Sequence, residues 1–259
     1  MTRRRFYAPP ESFADEGRRV VLSAEETRHL RDVLRVREGE EVGVFDGEGR
    51  EFLCRVGAPG RGREASLEVC ERVEPPRPES PLSLTLAVAL LKGEKFDLVV
   101  QKATELGAAS VIPVVTRRAD VRLKDANDAA RRVERWRRLA LEAAKQSGRA
   151  RVPRISGPAP FESLVARGAG ENELRIFFSE RGGGRLSEVP GAAVDEGSAG
   201  GPSELTALVG PEGGWEDEEI ELARSAGWRV VTLGGRTLRA ETAAVAAAAL
   251  LQHLYGDLN

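Results

Sequence analysis

Two segments near the end of the sequence share one pattern: a short apolar run, a loop that contains glycine, and then a helical pattern. Residues 205–209 lead into the loop 210–214 (GPEGG), and residues 230–233 lead into the loop 234–242. Glycine at a strand end lets the backbone turn sharply and approach a ligand closely. Ligands of open α/β sheets bind outside the carboxyl ends of the strands. One such loop could serve chain reversal alone, but two predict a shared pocket.

The chain after residue 81 alternates between apolar runs and helical patterns. Continuous apolar strands separated by helices are typical of a parallel sheet that is covered on both faces. We expect strands at 82–91, 110–115, 174–178, 205–209 and 229–233, and helices at 96–106, 126–147, 216–226 and 242–254. The intervening stretch 181–202, rich in glycine, serine and acidic residues, is expected to be a mobile loop or an insertion. The fold class of this part is therefore α/β.

The N-terminal part shows a different pattern, in which apolar and polar residues alternate. The alternation at 40–56 predicts a β-hairpin, and residues 65–73 predict a further strand. Ser23, followed three residues later by Glu26, predicts the start of a helix that ends near Val36. These signals indicate a small β-rich domain.

Prolines punctuate the segment between these two patterns. Four of them fall within residues 75–81, which predicts a stiff linker. We therefore expect an N-terminal domain at 1–74 and a C-terminal domain at 82–259.

Positive charge is concentrated in one part of a chain whose formal net charge is only −2. Most of the excess of arginine and lysine lies between Arg117 and Arg154. The helix predicted at 126–147 carries several of these arginines beside an apolar stripe. Solvated surface charge is the usual interpretation, but acidic residues are few here. We favour a face that binds RNA.

Several classes of protein are disfavoured. Cys54 and Cys70 share no CxxC spacing and are accompanied by only two histidines, so we expect no metal site and no disulfide. Both cysteines lie in strand-like sequence, which predicts core positions. We expect no secretory signal, because the first residues contain no apolar run, and the alanine-rich run 243–251 is too short to cross a bilayer. We expect a cytoplasmic protein with no membrane contact.

The two glycine loops do not match the known phosphate-binding loops. The sequence contains no GxxxxGK[ST] motif, and no GxGxxG motif follows an early strand with an acidic residue about 20 positions later. The acidic run 216–221 would repel a phosphate. A ligand with a positive centre fits better, and S-adenosylmethionine has a sulfonium together with an adenine that backbone groups can bind.

Ordered motifs along the chain carry a family resemblance. They are KGEK at 92–95, QKATELG at 101–107, EAAKQSGR at 142–149, VGPEGG at 209–214, and LGGRTLRAETA at 233–243. The chain resembles the RsmE-type ribosomal RNA methyltransferases of the SPOUT superfamily. The resemblance implies methylation of N3 of a uridine in small-subunit (16S) rRNA, with S-adenosylmethionine as cofactor. It also implies an N-terminal PUA-like β-barrel, a SPOUT-type α/β domain with a trefoil knot, and a homodimer.

The resemblance, together with the two loops, gives a set of expected binding residues. Those expected to bind the cofactor are Phe178, Ser179, Glu180, Leu208, Val209, Gly210, Pro211, Glu212, Gly213, Gly214, Leu233, Gly234, Thr237, Leu238, Arg239, Thr242 and Ala243. Those expected to bind RNA are Arg3, Arg4, Arg5, Arg31, Lys92, Arg117, Lys145 and Arg149. Gly235 departs from the expected pattern, because a non-glycine residue is expected there, and it predicts a looser cofactor loop.

Two residues of the second loop are candidates for catalysis. Uridine N3 carries a proton and is a poor nucleophile until that proton leaves. We expect Arg239 to stabilise the resulting anion and Glu241 to act as base or hydrogen-bond partner. Structural roles are the alternatives, because Glu241 could cap the following helix and Arg239 could bind phosphate.

Two other functions remain open. The same fold could serve as an RNA-binding or ribosome-assembly factor that binds no cofactor. The chain could also be a SPOUT methyltransferase that acts on a ribose 2′-hydroxyl or on tRNA.

Overall fold

The structure, a computed structural model, describes residues 3–58, 64–170, 172–189 and 202–258. The second half of the loop expected at 181–202 lies outside the described residues. Contacts divide the chain into two compact units. The first unit comprises Met1–Glu79 and Ala144–Val152, and the second comprises Ser80–Ala143 and Pro153–Asn259.

The first unit is built on one mixed sheet of six strands. The strands are β1 (Arg5–Tyr7), β2 (Phe13–Ala14), β3 (Arg19–Val21), β4 (Glu41–Phe45), β5 (Glu51–Val56) and β6 (Ser66–Val73). They lie in the order β1-β4-β5-β6-β3-β2. β1 pairs with β4 in parallel, and the other pairs are antiparallel. The predicted hairpin is confirmed, since Val42 pairs with Cys54 across β4 and β5.

The helix predicted to start at Ser23 is present but shorter than expected. Helix α1 (Ala24–Arg28) begins with the Ser23 hydroxyl accepting a 3.2 Å hydrogen bond from the Glu26 amide. A π-helical turn follows, and Arg35 has a positive φ of 50°. A left-handed residue ends a helix because the next amides can no longer reach the carbonyl groups of the preceding turn.

The two cysteines differ in their surroundings. Cys54 is buried, and this burial raises the pKa of its thiol to about 12. Cys70 is exposed on β6, so the prediction of a core position was wrong for this residue. The alternation of β6 places Cys70 on the face away from the core.

Residues 144–152 pack with the first unit, although they follow a stretch of the second. Lys145 forms an ion pair with the buried Glu26. Arg149 lies 2.6 Å from the carboxylate of Glu79. Arg5 donates a 3.0 Å hydrogen bond to the Arg149 carbonyl. The linker signal at 75–81 marks one end of the first unit but gives no indication of this later segment.

The second unit is an α/β fold with a parallel sheet, as predicted. Its strands are β7 (Ser83–Ala89), β8 (Ser110–Val115), β9 (Arg154–Ile155), β10 (Ala159–Pro160), β11 (Glu173–Phe178), β12 (Glu204–Val209) and β13 (Arg229–Val231). The strand order is β10-β8-β7-β12-β11-β13, with β9 also beside β8. All of these pairs are parallel.

Helices connect these strands. They are α2 (Lys95–Glu105), α3 (Ala126–Ser147), α4 (Phe161–Ala166), α5 (Asp217–Ser225) and α6 (Ala240–Tyr255). The five predicted strands and four predicted helices are present, whereas β9, β10 and α4 were not predicted. None of the helices in the described ranges combines the length and apolarity that crossing a membrane requires.

The strand order fixes where a site can form. β11, β12 and β13 run in parallel side by side with β11 in the middle, so the loops that follow them leave from the same edge of the sheet. Beneath this edge lies a core that includes Phe161, Phe177 and Trp215. Ligands of parallel sheets bind at this end of the strands.

Candidate active site

A cavity of about 570 Å³ opens at the carboxyl ends of β11, β12 and β13. It is lined by residues 178–180, by 209–215, by 232–240 with Ala243, and by Lys95 from the first turn of α2. This volume lies within the range of about 300–1,000 Å³ that is usual for small-molecule sites. The two glycine loops therefore form one pocket, as the sequence predicted.

Trp215 fixes the end of the first glycine loop. Its side chain is buried, and its ring packs 4.5 Å from that of Phe177. The indole Nε1 donates a hydrogen bond to the Phe178 carbonyl at 2.9 Å. A Cβ on Gly210 would lie 2.7 Å from this Nε1 atom. Glycine at 210 is therefore required by the buried indole.

Gly214 turns the same loop with a positive φ of 70°, which favours glycine. A Cβ there would also lie 2.7 Å from Glu180 Oε1. Glu180 in turn forms an ion pair with Arg181, which donates hydrogen bonds to the Trp215 carbonyl and to Asp217. The end of β11 and the loop after β12 are thereby held together.

Arg118 holds the loop from another side. It makes two hydrogen bonds with the Glu216 carboxylate, at 2.7 and 2.9 Å, and one with the Gly213 carbonyl. The hydrogen bond from Arg118 lowers the pKa of Glu216 below its ordinary value. The acidic helix start thus neutralises Arg118.

The second loop is open and leads directly into α6. Gly234 has a positive φ of 63°, while a Cβ on Gly235 would meet nothing within 4 Å. Arg239 is the N-terminal cap residue of α6 but makes no capping hydrogen bond with its side chain. This side chain is exposed, and none of the ion pairs among the described residues involves it. Arg239 can therefore turn towards a ligand in the cavity.

The ammonium of Lys95, at the cavity wall, lies near two carboxylates, of which that of Glu241 does not line the cavity. Lys95 Nζ lies 3.0 Å from Glu212 Oε1 and 3.9 Å from Glu241 Oε2. Burial would raise the pKa of Glu212, but hydrogen bonds from Lys95 and from the backbone hold this pKa below its ordinary value. Lys95 is not among the site residues predicted from the sequence, where the KGEK motif was its only signal.

Most residues expected to bind the cofactor line the cavity. Leu208 and Thr242 do not: Leu208 is fully buried in the core beneath it, and Thr242 is exposed on α6. The alternation of side chains along β12 directs Leu208 away from the cavity. Further lining residues outside the expected set are Trp215, Thr232, Gly235, Arg236 and Ala240.

The residues expected to bind RNA fall into two groups. Arg3, Arg4, Lys92 and Arg117 are exposed, and Arg31 is half-buried. Arg5, Lys145 and Arg149 are instead enclosed in the first unit, where they pair with Glu51, Glu26 and Glu79 respectively. The contacts of the second group are structural, because each cation is paired with a carboxylate inside the fold.

The arginines of α3 are divided in the same way. Arg132 is paired with Asp128, and Arg135 with Asp97. Arg137 and Arg138 are exposed, and no ion pair among the described residues involves them. These two residues are the part of the basic helix that is available to a polyanion.

Comparisons with known proteins agree with this architecture. Residues 78–252 match a family described as "RNA methyltransferase domain", and residues 22–67 match one described as "RNA methyltransferase PUA domain". A ribosomal RNA small subunit methyltransferase E from Synechocystis sp. is 34% identical over 91% of this chain and 73% of its own length. Its counterpart from Bacillus subtilis is 31% identical over 88% of each chain.

Solved structures give the same result. A ribosomal RNA small subunit methyltransferase E from Neisseria gonorrhoeae, crystallised with S-adenosyl methionine, superposes over 100% of both chains with a TM-score of 0.84 and 33% identity. A putative methyltransferase from Legionella pneumophila, in complex with the same cofactor, has a TM-score of 0.84 and 31% identity over 100% of both chains. The predicted SPOUT-type α/β fold class with an N-terminal PUA-like domain is confirmed. The chain therefore belongs to the RNA methyltransferase family, in the group named ribosomal RNA small subunit methyltransferase E.

Proposed function

We propose that this protein transfers a methyl group from S-adenosylmethionine to N3 of a uridine in small-subunit (16S) ribosomal RNA. The observation that carries the proposal is the cavity formed by the loops after β11, β12 and β13 in a chain that matches an RNA methyltransferase domain over residues 78–252. The names of the relatives support small-subunit rRNA as substrate.

The residues of the cavity fit the cofactor. Glycines 210 and 214 bring backbone amide and carbonyl groups to the wall, where an adenine can be bound. Glu180 and Glu212 also line the cavity, each paired with a cation, Arg181 and Lys95 respectively. The residues that would hold the cofactor are Phe178, Ser179, Glu180, Val209, Gly210, Pro211, Glu212, Gly213, Gly214, Leu233, Gly234, Thr237, Leu238, Arg239 and Ala243.

The cofactor supplies an electrophilic methyl group, and the chain must prepare the nucleophile. N3 of uridine becomes nucleophilic when its proton leaves and negative charge spreads onto O2 and O4. A guanidinium next to one of these oxygens stabilises the anion. We assign this task to Arg239, which lines the cavity and has no acidic partner among the described residues. Glu241, the second residue of α6, does not line the cavity, so we assign it the role of hydrogen-bond partner rather than that of base.

RNA would reach this cavity across exposed basic residues. Lys92 and Arg117 follow β7 and β8, whose carboxyl ends lie at the same edge of the sheet as the cavity. In the first unit, Arg3, Arg4 and Arg31 are the remaining candidates. Phosphate contacts of this kind position an RNA without reading its sequence.

A homodimer and a cytoplasmic location complete the proposal. Two apolar side chains are exposed on neighbouring helices, Leu98 on α2 and Leu250 on α6, at 41% and 39% of their surface. Helices α2 and α6 pack against each other, so these side chains favour association with a second copy. A substrate in the small ribosomal subunit requires access to the cytoplasm.

The test combines cofactor binding with product analysis. Isothermal titration should give a saturable heat with S-adenosylmethionine, and incubation with small-subunit rRNA should yield 3-methyluridine by nucleoside mass spectrometry. The absence of heat at millimolar cofactor would favour a non-catalytic RNA-binding factor. A 2′-O-methylated product, or activity confined to tRNA, would replace the proposed substrate with another.

A further inference from the structure

Lys95 has no role in the proposal above, although it lines the same cavity as Arg239. It is the first residue of α2, and about one third of its side chain (36%) is exposed. An ammonium at this position can contact a ligand in the cavity. The function of Lys95 depends on the groups that hold its ammonium in this position.

Two carboxylates flank the Lys95 ammonium. Glu212 Oε1 accepts a hydrogen bond from Nζ at 3.0 Å and a longer one of 3.4 Å from the Lys92 amide. Glu241 Oε2 lies 3.9 Å from Nζ, about 1 Å beyond a charge-assisted hydrogen bond. Because an ammonium has three donors and Glu212 accepts one, Lys95 retains donors for the cavity.

Glu241 is placed to act through Lys95. Its side chain is only 13% exposed, it is absent from the cavity lining, and its buried Oε2 atom has no hydrogen-bond partner among the described residues. A buried carboxylate oxygen without a donor is costly, so it favours a cation nearby. Among the described ion pairs of Glu241, that cation is Lys95.

We propose that Lys95 is a catalytic residue whose ammonium binds one carbonyl oxygen of the uracil ring, and that Glu212 and Glu241 are positioning residues that hold it. This inference rests on the proposed function. The imide anion of uridine carries charge on two oxygens, O2 and O4, and three cations line the cavity, Lys95, Arg236 and Arg239. Lys95 and Arg239 stand at the starts of α2 and α6, and these two are assigned to the oxygens. Each of these two then serves one oxygen.

The reaction balances without a further reactant. N3 loses its proton to water, and its lone pair forms the new bond to the methyl carbon. The electron pair of the broken carbon–sulfur bond stays on sulfur, so the anion and the sulfonium become two neutral products. Lys95 keeps its own protons throughout and lowers the pKa of the bound imide.

The arrangement also predicts base selectivity. Cytidine has an amino donor at C4 and an unprotonated N3. With one cation at each oxygen, the cation directed at position 4 would meet a donor instead of an acceptor, and the mismatch leaves both groups without a partner. Lys95 and Arg239 together therefore favour uridine over cytidine.

The test is the pH dependence of single-turnover methylation at saturating cofactor and rRNA. Lys95→Met removes the charge and keeps most of the side-chain length, Lys95→Arg keeps the charge, and Lys102→Met is the matched control. Lys102 lies on the same helix, 2.7 Å from Glu105, and does not line the cavity. We expect the wild-type rate to rise with pH and to level off below the pKa of free uridine.

For Lys95→Met we expect a rate loss of ~10²-fold to 10³-fold at neutral pH. The midpoint of its pH profile should move up towards the pKa of free uridine. Cofactor affinity should remain within about twofold of the wild type, which is a small free-energy change. The pH profile of Lys95→Arg should have a midpoint close to that of the wild type. The midpoint of Glu241→Gln should move upward, as in Lys95→Met, but by a smaller amount. The control should match the wild type.

Two results would overturn the inference. One is a Lys95→Met enzyme with an unmoved midpoint, which would make the residue structural. The other is a loss of cofactor binding equal to the loss of rate, which would place Lys95 at the cofactor. A wild-type enzyme that produces no 3-methyluridine would instead contradict the proposed function itself.

Discussion

The indole of Trp215 donates a 2.9 Å hydrogen bond to the backbone carbonyl of Phe178, and so joins the loop after β12 to the end of β11. One residue thereby connects the hydrophobic core to two walls of the cavity. Trp228 makes a comparable bond, at 3.4 Å, to the Val165 carbonyl in the same core but away from the cavity.

Trp215→Phe should weaken cofactor binding more than Trp228→Phe. Both changes leave a buried carbonyl without its donor, which costs about 1–3 kcal/mol of stability. Only Trp215→Phe releases the glycine loop, so its cofactor affinity should fall further than the loss of stability explains. Thermal unfolding and isothermal titration of both variants check this, and equal affinities would contradict it.

Gly210→Ala should disturb the cofactor loop, because the new Cβ would lie 2.7 Å from the Trp215 indole nitrogen. We expect about 1–3 kcal/mol of destabilisation from this overpacking and a clear loss of cofactor affinity. Gly157→Ala is the control, since a Cβ there meets nothing within 4 Å. If Gly210→Ala binds the cofactor normally, the loop does not depend on the packing of Trp215.

Arg239→Ala should lower the rate of methyl transfer by ~10²-fold to 10³-fold, the usual effect of losing one donor to a developing anion. Arg239→Lys should lose less, because the charge remains while the planar fork is lost. Single-turnover rates at saturating cofactor and rRNA separate this effect from binding. Unchanged methylation by Arg239→Ala would remove its catalytic role.

Arg137 and Arg138 should contribute to RNA affinity, whereas Arg149 should contribute to stability. The double change of Arg137 and Arg138 to Ala should reduce the slope of affinity against salt by about 1 per arginine and leave unfolding within about 0.5 kcal/mol. Arg149→Ala removes a cation that pairs inside the first unit and should lower the unfolding temperature. A salt slope unaffected by the double change would exclude this face of α3.

Glu173 should make stability depend on pH. Burial would raise the pKa of its carboxyl, but hydrogen bonds from Thr206 and the Gly170 amide, with Arg167 and Arg175 nearby, hold it below the ordinary value of 4.5. Its stabilisation is therefore complete above pH 4.5 and is lost as the pH falls through the lower folded-state value. Glu173→Gln should lose about 1.5–3 kcal/mol at neutral pH, and the difference from wild type should shrink on acidification.

Urea unfolding between neutral and acidic pH measures this difference. Thr206→Val, which removes one 2.5 Å hydrogen bond to Glu173, should show a smaller loss in the same direction. A difference between Glu173→Gln and wild type that does not vary with pH would contradict the assignment.

The elements that the sequence predicted correctly are those with strong local signals. β8 and α3 have the predicted bounds. β8 is a continuous run of apolar residues, and α3 repeats a helical pattern over many turns, so the local sequence signal is strong in both. The short helix α4 was missed, since six residues hold fewer than two turns of periodicity. The trefoil knot is implied by the family resemblance alone, because chain threading leaves no local pattern.

The candidate site was predictable where it depended on backbone and unpredictable where it depended on distant partners. Glycines 210 and 214 revealed the loop because of their position after a strand. Lys95 gains its role from Glu212, which is 117 positions away in the sequence. Arg149 was predicted to bind RNA because its partner, Glu79, is 70 positions away in the sequence and gave no local signal.

The membership of residues 144–152 in the first unit has a consequence for protein synthesis. When the ribosome has released residues 1–79, Glu26 and Glu79 still await the cations that pair with them in the finished fold. The first unit can complete its packing only after α3 has been translated. Translation of the second unit therefore begins before the first unit has all of its residues. The first unit is still the earlier of the two to be completed, because the second unit also needs residues that follow Val152.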